Sequence, residues 1–121
     1  MGKWKIRTFT GSGKRKPVED WIRTLEPNAQ AEVILTVELL EEHGTELGMP
    51  HARRLEDGIW ELRARLGNNV YRVLYFHWKA RTLGLLHGFT KKTEQTPRPE
   101  IETAKERRAT WLGRAKRRSD Q

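Results

Sequence analysis

Arginines and lysines at strand spacing carry the chemistry this chain can offer. From Gly58 to Thr96 it reads GIWELRARLGNNVYRVLYFHWKARTLGLLHGFTKKTEQT. Arg63 and Arg65 lie two residues apart, so on a strand they project to one face about 7 Å from each other. That spacing resembles successive phosphates of an extended single RNA strand, on the order of 6–7 Å. An exposed face balanced by Glu61, which shares it, would account for the same pattern. Arg72 is sharper. It stands inside YRVLYF and faces the same way as Val70, Leu74 and Phe76. A charge there is costly unless it is paired or opens on a cleft. An ion pair with Glu61 across the hairpin and an anion site both meet that condition, and the residue alone does not choose. Lys91 and Lys92 follow the last strand, where a loop displays functional groups. Arg53 and Arg54 in a preceding loop, and Lys14, Arg15 and Lys16 in a glycine-rich basic loop, complete the candidate RNA contacts.

Several other chemistries find no residues to support them. There are no cysteines, which excludes disulfides, zinc thiolates and thiol nucleophiles. His43, next to Gly44, suits the negative end of a helix. His51 lies in a loop, and His77 and His87 read as satisfied strand residues near the core. No set of His, Asp and Glu has metal-ligand spacing, so neither a metal nor a cofactor is expected. The GSGK stretch lacks the longer glycine run and following Ser or Thr of a P-loop.

The elements that must position these cations follow from pattern. At 121 residues, with 36% hydrophobic content including five Trp, the chain suits one modest two-layer core. Its net charge is +8. Residues 24–52 hold six acids and no Lys or Arg; the remainder carries 24 bases against 10 acids. This asymmetry points to polyanion contact on one side only, with the acidic helix left for scaffolding or a partner. No apolar run approaches the roughly 20 residues that cross a bilayer. A cytoplasmic protein without membrane contact is the expectation.

A first strand is predicted over Trp4–Thr10. A helix opens at Pro17 and Pro27-Asn28 breaks it; a second helix covers Ala29–His43, giving an α-hairpin. Thr45–Asp57 reads as a loop. Strands follow over Ile59–Leu66, Val70–Trp78 and Thr82–Phe89, with Gly67-Asn68-Asn69 turning the first hairpin. A last helix, capped by Thr96, runs to about Arg114 with Ile101, Ala104, Arg108 and Leu112 along its inner stripe. The expected fold is α+β, ordered β-α-α-β-β-β-α. It places a mostly antiparallel four-stranded sheet against an N-terminal helical hairpin and a C-terminal helix. Residues 1–112 form one domain and 113–121 a basic tail.

The ordered set Trp-Glu-Leu-Arg, Tyr-Arg-Val-Leu-Tyr, His-Gly-Phe-x-Lys-Lys-Thr and a Thr-Pro-opened helix resembles the RelE/HigB toxin superfamily. The nearest branch is the phage-derived HigB-like toxins of type II toxin–antitoxin systems. The resemblance covers most of residues 1–112 and implies a compact RelE-like domain. It implies an endoribonuclease cutting mRNA, usually on the ribosome. It also implies a cognate antitoxin, often of the helix-turn-helix, HigA-like kind, through which alone the toxin meets DNA. Arg63 matches the arginine of the Glu-Leu-Arg motif, Arg72 that of the Tyr-Arg motif, and Lys91 and Lys92 the basic residues after the last strand. The RelE branch adds a C-terminal tyrosine; this chain has only Trp111 there, so the general base stays unassigned.

Together these readings suggest RNA cleavage by its own 2′-hydroxyl, without metal, with Arg63 and Arg72 holding the phosphate. Lys91, Lys92 or Glu61 would move protons. The reading requires the cations to converge beside an open groove, neither splayed apart nor each locked to a carboxylate. A noncatalytic module that binds RNA or an antitoxin, and acts only as a corepressor, is the alternative. A duplex-DNA reader is weaker, because no recognition-helix pair is visible.

Overall fold

A computed structural model of the chain describes residues 3–119. The elements are β1 (Lys5–Thr8), α1 (Pro17–Arg23), α2 (Pro27–His43), β2 (Ala52–Glu56), β3 (Ile59–Leu66), β4 (Asn69–Lys79), β5 (Thr82–Lys91) and α3 (Arg98–Ser119). The sheet order is β1-β5-β4-β3-β2. β1 runs parallel to β5, with Ile6 opposite Leu83; every other pairing is antiparallel.

The α+β class and the order of helices hold, but the sheet has five strands. The extra strand is β2, in a segment whose loop-like composition hid it. Asp57 and Gly58 both have positive φ, at 51° and 75°, and turn β2 tightly into β3. Pro27 starts α2 rather than interrupting a helix. α3 also runs past the expected stop at Arg114, to Ser119, so the basic segment after 112 is helical as far as it is described. Positions 120 and 121 of the expected tail lie outside the described residues.

Each sheet face buries its own core. α1 and α2 cover one face over Val33, Leu40, Leu62, Val73, Tyr75 and Leu85. α3 covers the other over Leu74, Phe76, Leu86, Phe89, Ile101 and Ala104. Two glycines of β5 admit a tryptophan from each side. A Cβ on Gly88 would collide with the Trp21 indole, and one on Gly84 would lie 2.8 Å from Trp111. The inner stripe of α3 therefore ends in Trp111, whereas Leu112 is 43% exposed.

α3 is also hooked down by its basic residues. Arg107 donates to the Leu86 carbonyl at 2.9 Å, Arg108 to that of Asp57, and Arg114 to that of Thr10 at 2.6 Å. Glu56 pairs with Arg98 and Lys105, which hold its carboxyl at about 2. His87 meets Glu100 at 2.6 Å and Arg107 at 3.2 Å. Burial depresses its pKa. These groups tie helix to sheet. His77 is exposed, with its ring against the Ala80 carbonyl.

Candidate functional site

The strand register builds the site row by row on the α3 face of the sheet. Arg63 of β3 stands opposite Arg72 of β4, which stands opposite Phe89 of β5. One row further, Arg65 faces Val70 and Val70 faces Lys91. On the other side, Arg53 of β2 is opposite Glu61 of β3. Two guanidiniums directly opposite each other repel unless carboxylates intervene. Glu61 and Glu94 do so.

Glu61 is fully buried and forms the hub. It accepts from Arg53 Nε at 3.0 Å and from the Thr96 hydroxyl. Arg63 Nε and Arg72 Nη1 each lie 3.6 Å from it, close enough for charge attraction but too far for good hydrogen bonds. Thr96 also accepts from Arg53, so its hydroxyl is occupied by this cluster rather than by the expected helix cap. Arg53 further donates to the Glu94 carbonyl at 2.8 Å and stitches the 94–96 loop over the cluster.

Glu94 is the exposed member. Its carboxylate bridges Arg63 and Arg65, taking Nη2 donors at 3.0–3.3 Å from both. Hydrogen bonds from Arg65 and then Arg63 hold its carboxyl at about 2. It occupies the position an incoming anion would take between those two guanidiniums.

Arg72 has only the loose pairing with Glu61 at 3.6 Å, the cross-hairpin ion pair that the sequence allowed. Its side chain is 0% exposed, and Nε, Nη1 and Nη2 all lack a hydrogen bond. Burial pushes its pKa down; Glu61 opposes this, while Arg63 and Arg53 add to it. Four guanidiniums thus share two carboxylates on this face, leaving two positive charges uncompensated among the described residues.

The cations therefore converge. A groove of about 700 Å³ opens on the Arg53 side of the cluster, lined by Arg53, Arg54, Glu56, Thr93, Thr96 and Arg98 among others, and Arg63, Arg65 and Arg72 are not among its walls. Arg63 reaches solvent only past Glu94, whereas the Arg65 side chain is 54% exposed. Lys91 and Lys92 are exposed at the end of β5. Lys14, Arg15 and Lys16 are not part of the cluster: they follow β1, at the sheet edge opposite β2. Glu94 and Thr96 were not legible as site residues. Only the path of the loop after β5, which folds residues 94 and 96 back over Arg63 and Glu61, reveals them.

The chain is similar to known proteins over most of its length. The family model of phage-derived Gp49-like proteins matches residues 20–109. Two Mycobacterium tuberculosis proteins, from strains CDC 1551 and H37Rv, both carry the name "Probable endoribonuclease HigB1". Each is 32% identical over 113 residues, covering 92% of this chain and 86% of the relative.

Proposed function

Since the chain belongs to the phage-derived Gp49-like family of RelE/HigB-type toxins, we propose that it is the toxin of a type II toxin–antitoxin pair and an endoribonuclease acting on mRNA. The observation that carries this is the buried Arg72 guanidinium beside Arg63, without a single hydrogen bond and only loosely paired with Glu61. A group so costly to bury is what a functional demand retains.

In the reaction, a scissile phosphate displaces Glu94 and takes the donors of Arg63 and Arg65. The 2′-oxygen attacks phosphorus, and the P–O5′ bond breaks. A 2′,3′-cyclic phosphate and a 5′-hydroxyl result. Charge grows on the non-bridging oxygens in the transition state. Arg63 and Arg65 bind it directly, and Arg72 adds a positive field from the neighbouring strand that Glu61 only partly offsets. Lys91 and Lys92 are the exposed groups that would exchange protons, one as the neutral amine accepting from the 2′-hydroxyl and the other as the ammonium donating to the 5′-oxygen. Glu61, sealed under Thr96 and Arg53, orients the guanidiniums rather than touching substrate. Arg53 and Arg54 receive flanking phosphates along the groove. The ribosome would supply the orientation that so sparse a site lacks. A HigA-like antitoxin would neutralise the toxin and carry it to DNA.

The test is induction without antitoxin, with primer-extension mapping of transcript ends. Wild type should arrest growth and leave cyclic-phosphate ends. Arg65→Gln, at an exposed position, should fold normally and cut on the order of 10²–10³-fold more slowly. Intact transcripts from folded wild type overturn the proposal.

The noncatalytic alternative draws support from one observation. Arg63 is 4% exposed and already bridged to carboxylates, so the face could bind an RNA or antitoxin ligand without cutting. Salt-sensitive RNA binding with uncut transcripts would favour it.

A further inference from the structure

The far end of α3 holds a second cationic site that the cleavage chemistry does not use. Trp78 at the end of β4 and Trp111 of α3 meet edge to face, with centroids 5.3 Å apart. Together with Phe9 they wall a cavity of about 160 Å³. Arg7, Arg114 and Arg118 stand around it. A second groove of about 330 Å³ shares Trp78 and Arg118 and adds Lys79 and Lys116. No Asp or Glu lines either one. Arg114 is tied to the Thr10 carbonyl, and its guanidinium lies 5.5 Å from the Phe9 ring centroid. Lys79 Nζ lies over the Trp78 ring at 4.3 Å. Among the described residues, Arg7, Lys116 and Arg118 enter no ion pair, unlike Arg98 and Lys105 further up the helix.

We propose that this end of the molecule binds a single-stranded RNA segment flanking the cleavage site. A base would pack against the indoles and phosphates would pair with Arg7 and Arg118. Aromatic walls with unpaired cations and no acids match what single-strand binding requires: stacking for the base, point charges for the backbone. Arg72 and Trp78 share β4 and a sheet face six residues apart, about 20 Å. Several nucleotides therefore separate this segment from the scissile phosphate. The proposal rests on the ribonuclease reading for its ligand, but not on catalysis.

The experiment measures affinity of the full chain for a ten-nucleotide single-stranded RNA across 50–200 mM salt, with tryptophan fluorescence as a second readout. Arg7→Gln with Arg118→Gln should weaken binding about tenfold and flatten the log–log salt slope by about 1.4, two phosphates at about 0.7 each. RNA should quench tryptophan emission in wild type and less in the double variant. A charge-matched control on the α1–α2 side, Lys3→Gln with Arg23→Gln, should lose clearly less. Equal loss in the control, an unchanged slope in the double variant, or equally strong displacement of RNA by a polyglutamate peptide each overturns the site. Arg65→Gln separates the two ideas: it should slow cutting on the order of 10²–10³-fold while leaving the fluorescence quench at saturating RNA in place. If wild type never cuts but the double variant still loses affinity, only the catalytic reading fails.

Discussion

The Arg72 guanidinium lies in the sheet interior between Arg63 on one neighbouring strand and Phe89 on the other. With three unbonded nitrogens it stabilises nothing by hydrogen bonding. Arg72→Met, close in shape and apolar, leaves Glu61 its Arg53 and Thr96 donors and should therefore stay within about 1 kcal/mol of wild type in denaturant unfolding. RNA cleavage by the same variant should fall at least about 100-fold. Lost stability with retained cleavage would make Arg72 a structural residue instead. Glu94 behaves oppositely, being exposed and well paired. Glu94→Gln should bind single-stranded RNA a few-fold more tightly at low salt, because it removes a competing anion from Arg63 and Arg65. Its pH signature has a definite sign. The folded carboxyl is held at about 2 against an ordinary 4.5, so its contribution is present above about 4.5 and fades as pH falls toward 2. The Tm gap between wild type and Glu94→Gln should be level from pH 7 to 5 and shrink below 4.5. A gap that persists undiminished at pH 3 would remove the ion pairs as its source.

Helix placement depends on two absent side chains of β5. Gly84→Val would push a Cβ to within 2.6 Å of Phe76 and 2.8 Å of Trp111. It should destabilise by about 1–3 kcal/mol. Gly48→Ala, with open space around it, should stay within about 0.5 kcal/mol. Equal effects in chemical denaturation would mean that α3 does not dock through that slot. This slot also explains one limit of reading the sequence. Periodicity along α3 is nearly as consistent with Leu112 facing inward as with Trp111, and only the partner glycine decides. The central strands, the Gly67-Asn68 turn and the shared face of Arg63, Arg65 and Arg72 were legible, because alternation fixes direction. β2 was hidden: Arg53-Arg54 looks like a loop, although Asp57-Gly58 is a strong hairpin signal that could have found it. Glu94 was invisible for a different reason, since its role arises from a contact with Arg63 that is 31 residues distant in the chain.

At the scale of the whole molecule, the sheet separates two surfaces of opposite sign. The six acids of the 24–52 segment lie on α2 or within three residues of its ends, on one side. The arginine cluster and α3 occupy the other. One helix layer and the sheet put roughly 20 Å between them. That is more than twice the Debye length of about 8 Å at physiological salt. Screening across solvent therefore isolates the two faces in contact energy, while at low salt the dipole still orients an approaching polyanion. Glu38→Gln with Glu42→Gln should change single-stranded RNA affinity at 150 mM salt by less than about twofold, whereas Arg65→Gln, one charge on the opposite face, should cost about tenfold. At 10 mM salt the Debye length grows to about 30 Å, so the α2 variant should there associate faster with RNA than wild type. A large affinity change from the α2 pair at 150 mM would mean that RNA wraps onto the acidic side. The division of labour between a nucleic-acid face and a face left for a protein partner would then be lost.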